Sequence, residues 1–490
     1  MGALMLQGTS SDVGKSVLAT GLCRIFFRRG LSVAPFKAQN MALNSYVTLD
    51  GGEMGRAQVD QARAAGIEPA VEMNPVLLKP EGHSRSQVVV MGHPEYRMSA
   101  LDYHVRKDRL WGVVTQALEE LRRCYDLLIV EGAGSPAEIN LKANDIVNMR
   151  VAVHLNAPVL LVGDIDRGGV FASLYGTLAL LPESERELVK GFLINKFRGD
   201  ISLVTSGLHM LRDLTDRPTL GVIPYLENLG VAQEDSVFLE GHNRLSRGRF
   251  DLVAIRYPRI SNYDDLDALA MEPDVGIRFV DRPQDLGEPS AIILPGSKST
   301  VADLLWMRKT GLERAILERA GAGTPLVGIC GGFQMMGRSI RDETGAESSL
   351  QNVSGMGLLE GDTDFAPVKR TVRVRGVVAA DCGDLKEIRG SQVEGYEIHM
   401  GQTRSSSPLL LLEEGRPDGA CSPDGRRWGT YVHGLFDLPE FRRGWLRSLG
   451  WTPAGEALSL REYRERAFDR LADYMEAHMD MTALERILGL

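Results

Sequence analysis

Short, unbroken apolar runs recur along the first half of this chain, each set off from the next by a stretch with helical character. Residues 4–6, 32–36, 127–130, 159–162, 191–194 and 221–223 are such runs, with helical patterns at 14–29 and near 110–122. A strand that is apolar throughout must be covered on both faces, and strands that alternate with helices pair in parallel. The pattern therefore predicts a doubly wound, mostly parallel sheet. It stops at the polar, Gly- and Arg-containing segment 231–250, which reads as a linker, and then restarts. Residues 252–256, 277–280, 291–294, 326–329, 393–399 and 429–432 read as strands of a second α/β unit, with a helix near 266–271. At 490 residues the chain is too long for a single core, so two or three domains are expected. The expected division is 1–230, a linker at 231–250, a second domain at 251–445 and a helical appendage at 446–490. Within that appendage Ser459-Leu-Arg-Glu462 is a capping box, and Tyr463, Ala467, Leu471 and Tyr474 recur at helical spacing.

Other chemistries are excluded by composition. The net charge is -9, which argues against a general nucleic-acid binder. Five cysteines (Cys23, Cys124, Cys330, Cys382, Cys421) are scattered and never spaced as CxxC, so neither a disulfide framework nor a zinc site is expected. A reducing cytoplasmic setting fits them. No apolar run approaches the ~20 residues that span a bilayer. The N-terminus lacks a basic leader and reads as the first strand.

Two segments carry chemistry. The first is Gly8-Thr-Ser-Ser-Asp-Val-Gly14-Lys15-Ser16, between a strand and a helix. Backbone N–H groups at a helix N-terminus cradle phosphate, a lysine adds a point charge, and a serine hydroxyl ligates Mg²⁺. The strict pattern wants glycine where Thr9 stands, so this is a variant ATP-binding loop. Glu131 closes the run 127–130 at the sheet edge where ligands of parallel sheets bind, and is a candidate second Mg²⁺ ligand. Lys37 and Asn195 also follow strands; Lys37 is suited to a phosphate or a substrate carboxylate, Asn195 to a base edge.

The second segment is Thr324-Pro-Leu-Val-Gly-Ile-Cys330-Gly-Gly-Phe-Gln-Met-Met-Gly337. A cysteine on a strand-to-helix turn has its sulfur exposed, with backbone N–H groups and the positive helix end nearby. His399 and His433 both end strands downstream, and spacing alone leaves either as the base. The turn at Pro295-Gly-Ser297 offers a backbone N–H that, with that of Gly331, would complete an oxyanion hole. An ATP site and a cysteine site in one chain suggest that glutamine hydrolysis feeds ammonia to an ATP-activated carboxylate.

Over nearly its whole length the sequence resembles the cobyric acid synthase family. The resemblance rests on Gln7-Gly-Thr-Ser-Ser-Asp-Val-Gly-Lys-Ser16, Phe36-Lys-Ala-Gln-Asn-Met-Ala-Leu-Asn-Ser45, Asn144-Asp-Ile-Val-Asn148, Pro295-Gly-Ser-Lys-Ser-Thr300 and Gly395-Tyr-Glu-Ile-His-Met-Gly401. It implies a dethiobiotin-synthetase-like ATPase domain joined to a triad-class glutamine amidotransferase domain. The implied reaction is the amidation of peripheral carboxylates of a small-molecule corrinoid, with ATP, Mg²⁺ and glutamine. Carried over by position, Cys330 is the nucleophile and His433 its base. Thr9, Gly14, Lys15, Ser16 and Asn195 bind ATP, Ser16 and Glu131 face the metal, and Lys37, Asn40 and Asp145 face phosphate and corrinoid. Two departures stand out. Many relatives of the glutaminase carry Glu two residues after the catalytic His, where this chain has Leu435; the third triad role is therefore absent or filled from elsewhere, Asp437 being one candidate. Ser10 occupies the place of the signature lysine of dimerising switch ATPases. The rival expectations are an a,c-diamide synthase of the same layout and a regulatory ATPase with an inactive glutaminase-like domain.

Overall fold

The computed structural model describes residues 2–81, 85–99, 107–226, 230 and 244–490. Contacts divide the chain into two units. One comprises Met1–Met41, Glu53–Ala232 and Arg464–Leu490; the other comprises Ala42–Gly52 and Gln233–Tyr463.

The first unit is built on a six-stranded sheet, every neighbouring pair of which is parallel. Its order is Thr219–Pro224, Val189–Phe197, Val159–Asp164, Gly2–Gly8, Leu127–Glu131, Val33–Phe36. Strands Leu127–Glu131 and Val159–Asp164 are buried end to end, as continuous apolar runs require. Helix Lys15–Arg28 covers one face. Its core side includes Leu18, Leu22, Ile25 and Phe26, which pack with Phe468, Leu471 and Met475 of helix Leu460–His478. Thus the C-terminal helices are present, and from Arg464 onward they complete the core of the first unit. Arg24 of Lys15–Arg28 anchors this packing with a forked pair of bonds to Asp469 at 2.8 and 3.0 Å. A smaller four-stranded sheet, Gln39–Met41, Val76–Pro80, Arg85–Val90 and His93–Ser99, was not apparent in the sequence. Its hairpin turns at Met91-Gly92, both at positive φ (46° and 78°), the backbone of a primed turn in which Asn-Gly is the usual signal.

The second unit has a seven-stranded sheet in the order Arg244–Ser246, Val275–Val280, Phe250–Ile255, Ala291–Leu294, Leu326–Ile329, Arg427–Thr430, Ala420–Cys421. The five inner strands are parallel and both edges are antiparallel. Residues 231–243 of the expected linker lie outside the described residues, and Arg244–Ser246 forms the edge strand. The run at 393–399, expected within the parallel sheet, instead belongs to Gln392–Arg404. That strand pairs antiparallel with the 17-residue strand Asp362–Val378 in a separate sheet. The helix expected at 266–271 is shorter: a 3₁₀ turn, Tyr263–Leu266, runs into Asp267–Ala270. The fold class expected from the alternation holds: two α/β units with parallel sheets, and helices at the C-terminus.

Candidate functional site: a phosphate loop and a cysteine elbow

In the first unit, strand Gly2–Gly8 ends at the loop that leads into helix Lys15–Arg28. Gly14 caps that helix at φ 95°, a conformation that disfavours side chains, and a Cβ there would stand 2.2 Å from Asn195 Nδ2. Asn195 itself donates to the Val13 carbonyl at 2.8 Å, so its amide props the loop. Thr9 is anchored through its N–H to Val162 O at 2.9 Å. The Lys15 ammonium donates to Ser10 O at 3.1 Å and Gly134 O at 3.3 Å, spanning the loop mouth.

Register aligns Leu6 with Glu131, which brings that carboxylate level with the loop. Glu131 is buried, and three partners converge on it. Ser16 Oγ and Lys37 Nζ each donate to Oε1 at 2.8 Å, and Gln61 Nε2 donates to Oε2 at 2.7 Å. A buried carboxylate must be neutralised, and here Lys37 does so. Ser16 and Glu131 form a hard-oxygen pair of the kind Mg²⁺ takes, so the donor set fits that ion. Gln61 was not singled out in the sequence; it lies in helix Arg56–Ala64, where Arg56, Gln58 and Asp60 are buried with it.

Asn40 and Asp145 fall elsewhere. Asn40 donates to Gln58 Oε1 at 3.0 Å, beside Gly55. Asp145 accepts from the N–H groups of Val147, Asn148 and Arg150, and so holds the turn into helix Met149–Leu155. Its carboxylate is engaged with backbone. Asn148, in the same segment, clamps Ala133 through both its amide atoms.

In the second unit, Cys330 ends strand Leu326–Ile329 at φ 50°, ψ −105°, and the short helix Gly331–Met336 begins directly after it. A non-glycine residue in that conformation is strained, and such strain gathers at functional sites. The turn needs the two glycines: a Cβ on Gly332 would stand 1.9 Å from Leu294 O, and one on Gly331 would stand 2.8 Å from Ser297 N. The second closeness also brings the Ser297 and Gly331 backbones together. Ser297 is held by its hydroxyl, which donates to Asp303 at 2.6 Å. Burial pushes the Asp303 carboxyl up to about 6, against the opposing pull of Ser297 and Arg259.

His433 is buried. Its Nδ1 lies 2.7 Å from Asp265 Oδ2, and Gly434 N–H donates to Asp265 Oδ1 at 2.7 Å. Burial disfavours the charged ring, but the Asp265 carboxylate and the Cys330 sulfur outweigh it and push His433 up to about 10. So the carboxylate on His433 is Asp265, not Asp437 or a residue at position 435. It was missed because it lies 168 positions upstream, on the 3₁₀ turn Tyr263–Leu266. The available signal was the acidic run Asp264-Asp265-Leu-Asp267 just beyond strand Phe250–Ile255.

His399 has a different setting. Its ring stacks on Tyr431 at 3.9 Å, and its Nδ1 lies 2.7 Å from Gly401 O. The neighbouring Glu397 is buried, yet His399, Arg370 and Arg416 overcome that burial and hold its carboxyl down at about 2. Gln334, three residues beyond Gly331, bridges Thr300 Oγ1 at 2.9 Å and Tyr431 Oη at 3.3 Å.

Among the described residues no helix is long and apolar enough to cross a membrane. Residues 4–237 match the CobQ/CobB/MinD/ParA nucleotide binding domain family, and residues 251–441 match the CobB/CobQ-like glutamine amidotransferase domain family. The chain is 48% identical to a cobyric acid synthase of Desulfitobacterium hafniense over 99% of its own length and 98% of the relative's. It is 49% identical to one from Moorella thermoacetica, covering 100% and 97% respectively. A Dehalococcoides mccartyi cobyric acid synthase is 48% identical over 99% and 98%. The chain belongs to the cobyric acid synthase family of glutamine-dependent amidotransferases.

Proposed function

We propose that this member of the family amidates the b, d, e and g peripheral carboxylates of adenosylcobyrinic acid a,c-diamide, giving adenosylcobyric acid, with one ATP and one glutamine consumed per amide. The observation that carries the glutamine half is the buried His433–Asp265 pair, which interacts with Cys330 on its strained elbow.

With its proton already passed to His433, whose ring the site holds charged, the Cys330 sulfur attacks the side-chain carboxamide carbon of glutamine. Asp265 accepts from Nδ1–H, which leaves Nε2 to receive that proton, and it stabilises the charged ring. The backbone N–H groups of Ser297 and Gly331 hold the tetrahedral oxyanion. His433 then returns the proton to the departing nitrogen, and ammonia leaves with a glutamyl thioester on the sulfur. Water, activated by the now neutral His433, attacks the thioester carbon, so glutamate departs and the thiol is restored.

At the phosphate loop a corrinoid carboxylate oxygen attacks the γ-phosphorus of substrate ATP, giving an acyl phosphate and ADP. Ammonia attacks the acyl carbon, phosphate leaves with the bonding pair and takes up the proton that the nitrogen sheds, and the amide remains. Lys15 and the loop N–H groups of Gly14 and its neighbours hold the phosphates. Thr9 and Asn195 keep the loop in shape, as their bonds to Val162 and Val13 indicate. Lys37 stands ready to shift from Glu131 to an incoming anion. Ser16 and Glu131 would hold Mg²⁺, which when bound supplies charge neutralisation at the transferred phosphate. Asn40 and Asp145 support this reading differently: as shapers of the corrinoid side of the unit.

The test is Cys330→Ala. It should abolish amidation driven by glutamine and keep amidation driven by ammonium salts. Loss of both activities in a folded variant would overturn separate sites linked by ammonia.

A further inference from the structure

Two of the sequence segments quoted above have no part in the chemistry so far: the end of Phe36–Ser45 and the start of Gly395–Gly401, within strand Gln392–Arg404. They meet beside His433. Ser45 is fully buried, and its carbonyl accepts from Asn262 Nδ2 at 3.0 Å and Tyr396 Oη at 3.2 Å. Asn262 also donates to Tyr396 Oη at 3.1 Å, closing a three-way polar node in which every member is buried.

Both side chains of that node flank the catalytic pair. The Tyr396 ring stacks on the His433 ring at 5.3 Å and 21°, and the two residues exchange backbone hydrogen bonds of 3.0 and 2.9 Å. Asn262, at φ 50°, opens the 3₁₀ turn that presents Asp265. The stretch Ala42–Gly52 is further tied down by Arg373, which donates to Val47 O at 3.0 Å and lies over the Tyr46 ring at 5.1 Å; Tyr46 packs edge-on against Tyr396 at 5.0 Å. Residues 42–52 continue without a break in the chain from Lys37 and Asn40.

We infer that Tyr396 is a positioning residue that sets the His433 ring from the Ser45 carbonyl, and that residues 42–52 thereby tie glutamine hydrolysis to substrate binding around Lys37 and Asn40. A buried node of this kind has discrete arrangements, because leaving any member unpaired is costly. The inference deepens the functional reading above and rests on it.

The test measures glutamate release from glutamine by the full chain, with and without ATP and the corrinoid diamide. Tyr396→Phe keeps the stacked ring and removes the hydroxyl. Asn262→Gly keeps the left-handed backbone and removes the amide. Arg373→Ala frees Val47 and Tyr46 from outside the node. Each should reduce the stimulation by ATP and corrinoid by roughly five- to tenfold. KM for glutamine should stay within about twofold of wild type, because no contact to glutamine is removed. Ammonia-driven amidation should be unchanged, which shows the variants are folded. Arg373→Ala decides the matter if either buried variant does not fold. Wild-type stimulation retained in these variants, or a wild-type enzyme whose glutamate release ignores ATP and corrinoid, overturns the inference while the functional reading stands. A wild type that releases no glutamate under any of these conditions overturns the functional reading itself.

Discussion

Asp265→Asn isolates the role of the carboxylate without changing its shape. In the wild type one oxygen receives His433 Nδ1–H and the other receives Gly434 N–H, each at 2.7 Å. An amide has only one acceptor oxygen. If that oxygen keeps Gly434, the NH₂ faces Nδ1 and forces the tautomer with its proton on Nε2, which cannot accept from Cys330. If the amide flips, NH₂ meets the Gly434 N–H and both donors lack a partner. The lost charge matters as well. His433 stands at about 10, held above its ordinary value by the Asp265 carboxylate and the Cys330 sulfur against the opposing effect of burial. Removing the carboxylate leaves burial opposed by Cys330 alone. The wrong tautomer in an analogous protease triad lowers turnover by ~10⁴, so a fall of about 10²–10⁴ in glutamate release is expected here. Ammonia-driven amidation should be untouched. The sign for stability follows from the raised value: the His433–Asp265 pair stabilises the folded state fully below about pH 6.5, and that stability is lost as pH climbs toward 10. The gap in urea midpoint between wild type and Asp265→Asn should therefore narrow across that window. Glutamate release within threefold of wild type would refute the reasoning.

Other sites give sharper or simpler outcomes. Lys15→Ala should abolish amidation from either nitrogen source while glutamate release survives, read by paired glutamate and corrinoid assays. Gly14→Ala places a methyl against Asn195 at a left-handed backbone position, and should lower ATP affinity measured by calorimetry without a large change in fold. Gly332→Ala drives a methyl into Leu294 O and should cost roughly 3 kcal/mol or more in urea unfolding. Glu272→Ala strips a carboxylate from the fully buried Arg442 and its neighbour Arg443, and should cost about 3–5 kcal/mol in the same assay.

The legible parts of the molecule were those whose physics is local in sequence. The phosphate loop announces itself because strand, Gly-Lys-Ser and helix are contiguous. The cysteine elbow does so because Gly331 and Gly332 must follow Cys330 directly for the backbone to pass Leu294. Asp265 was invisible because a triad is assembled in space, and nothing in its neighbourhood marks one of three acidic residues as facing His433. Strand Asp362–Val378 escaped because its stretch 370–375 interleaves arginines with apolar residues of mixed burial, whereas the parallel strands are apolar throughout. The role of the C-terminal helices was hidden for a similar reason. Helical spacing shows that residues 463–474 have an apolar side but not what covers it, and that side closes over helix Lys15–Arg28. Asp145 shows the converse: a polar residue in a distinctive segment whose carboxylate is spent on the backbone of its own turn.

The most direct measurement is mass spectrometry of the corrinoid after incubation of the full chain with adenosylcobyrinic acid a,c-diamide, ATP, Mg²⁺ and glutamine labelled with ¹⁵N at its side-chain amide. The account predicts stepwise conversion of four carboxylates to amides, each carrying the label, with one glutamate and one ADP released per step. Unchanged corrinoid, or new amides that carry no label, would contradict it.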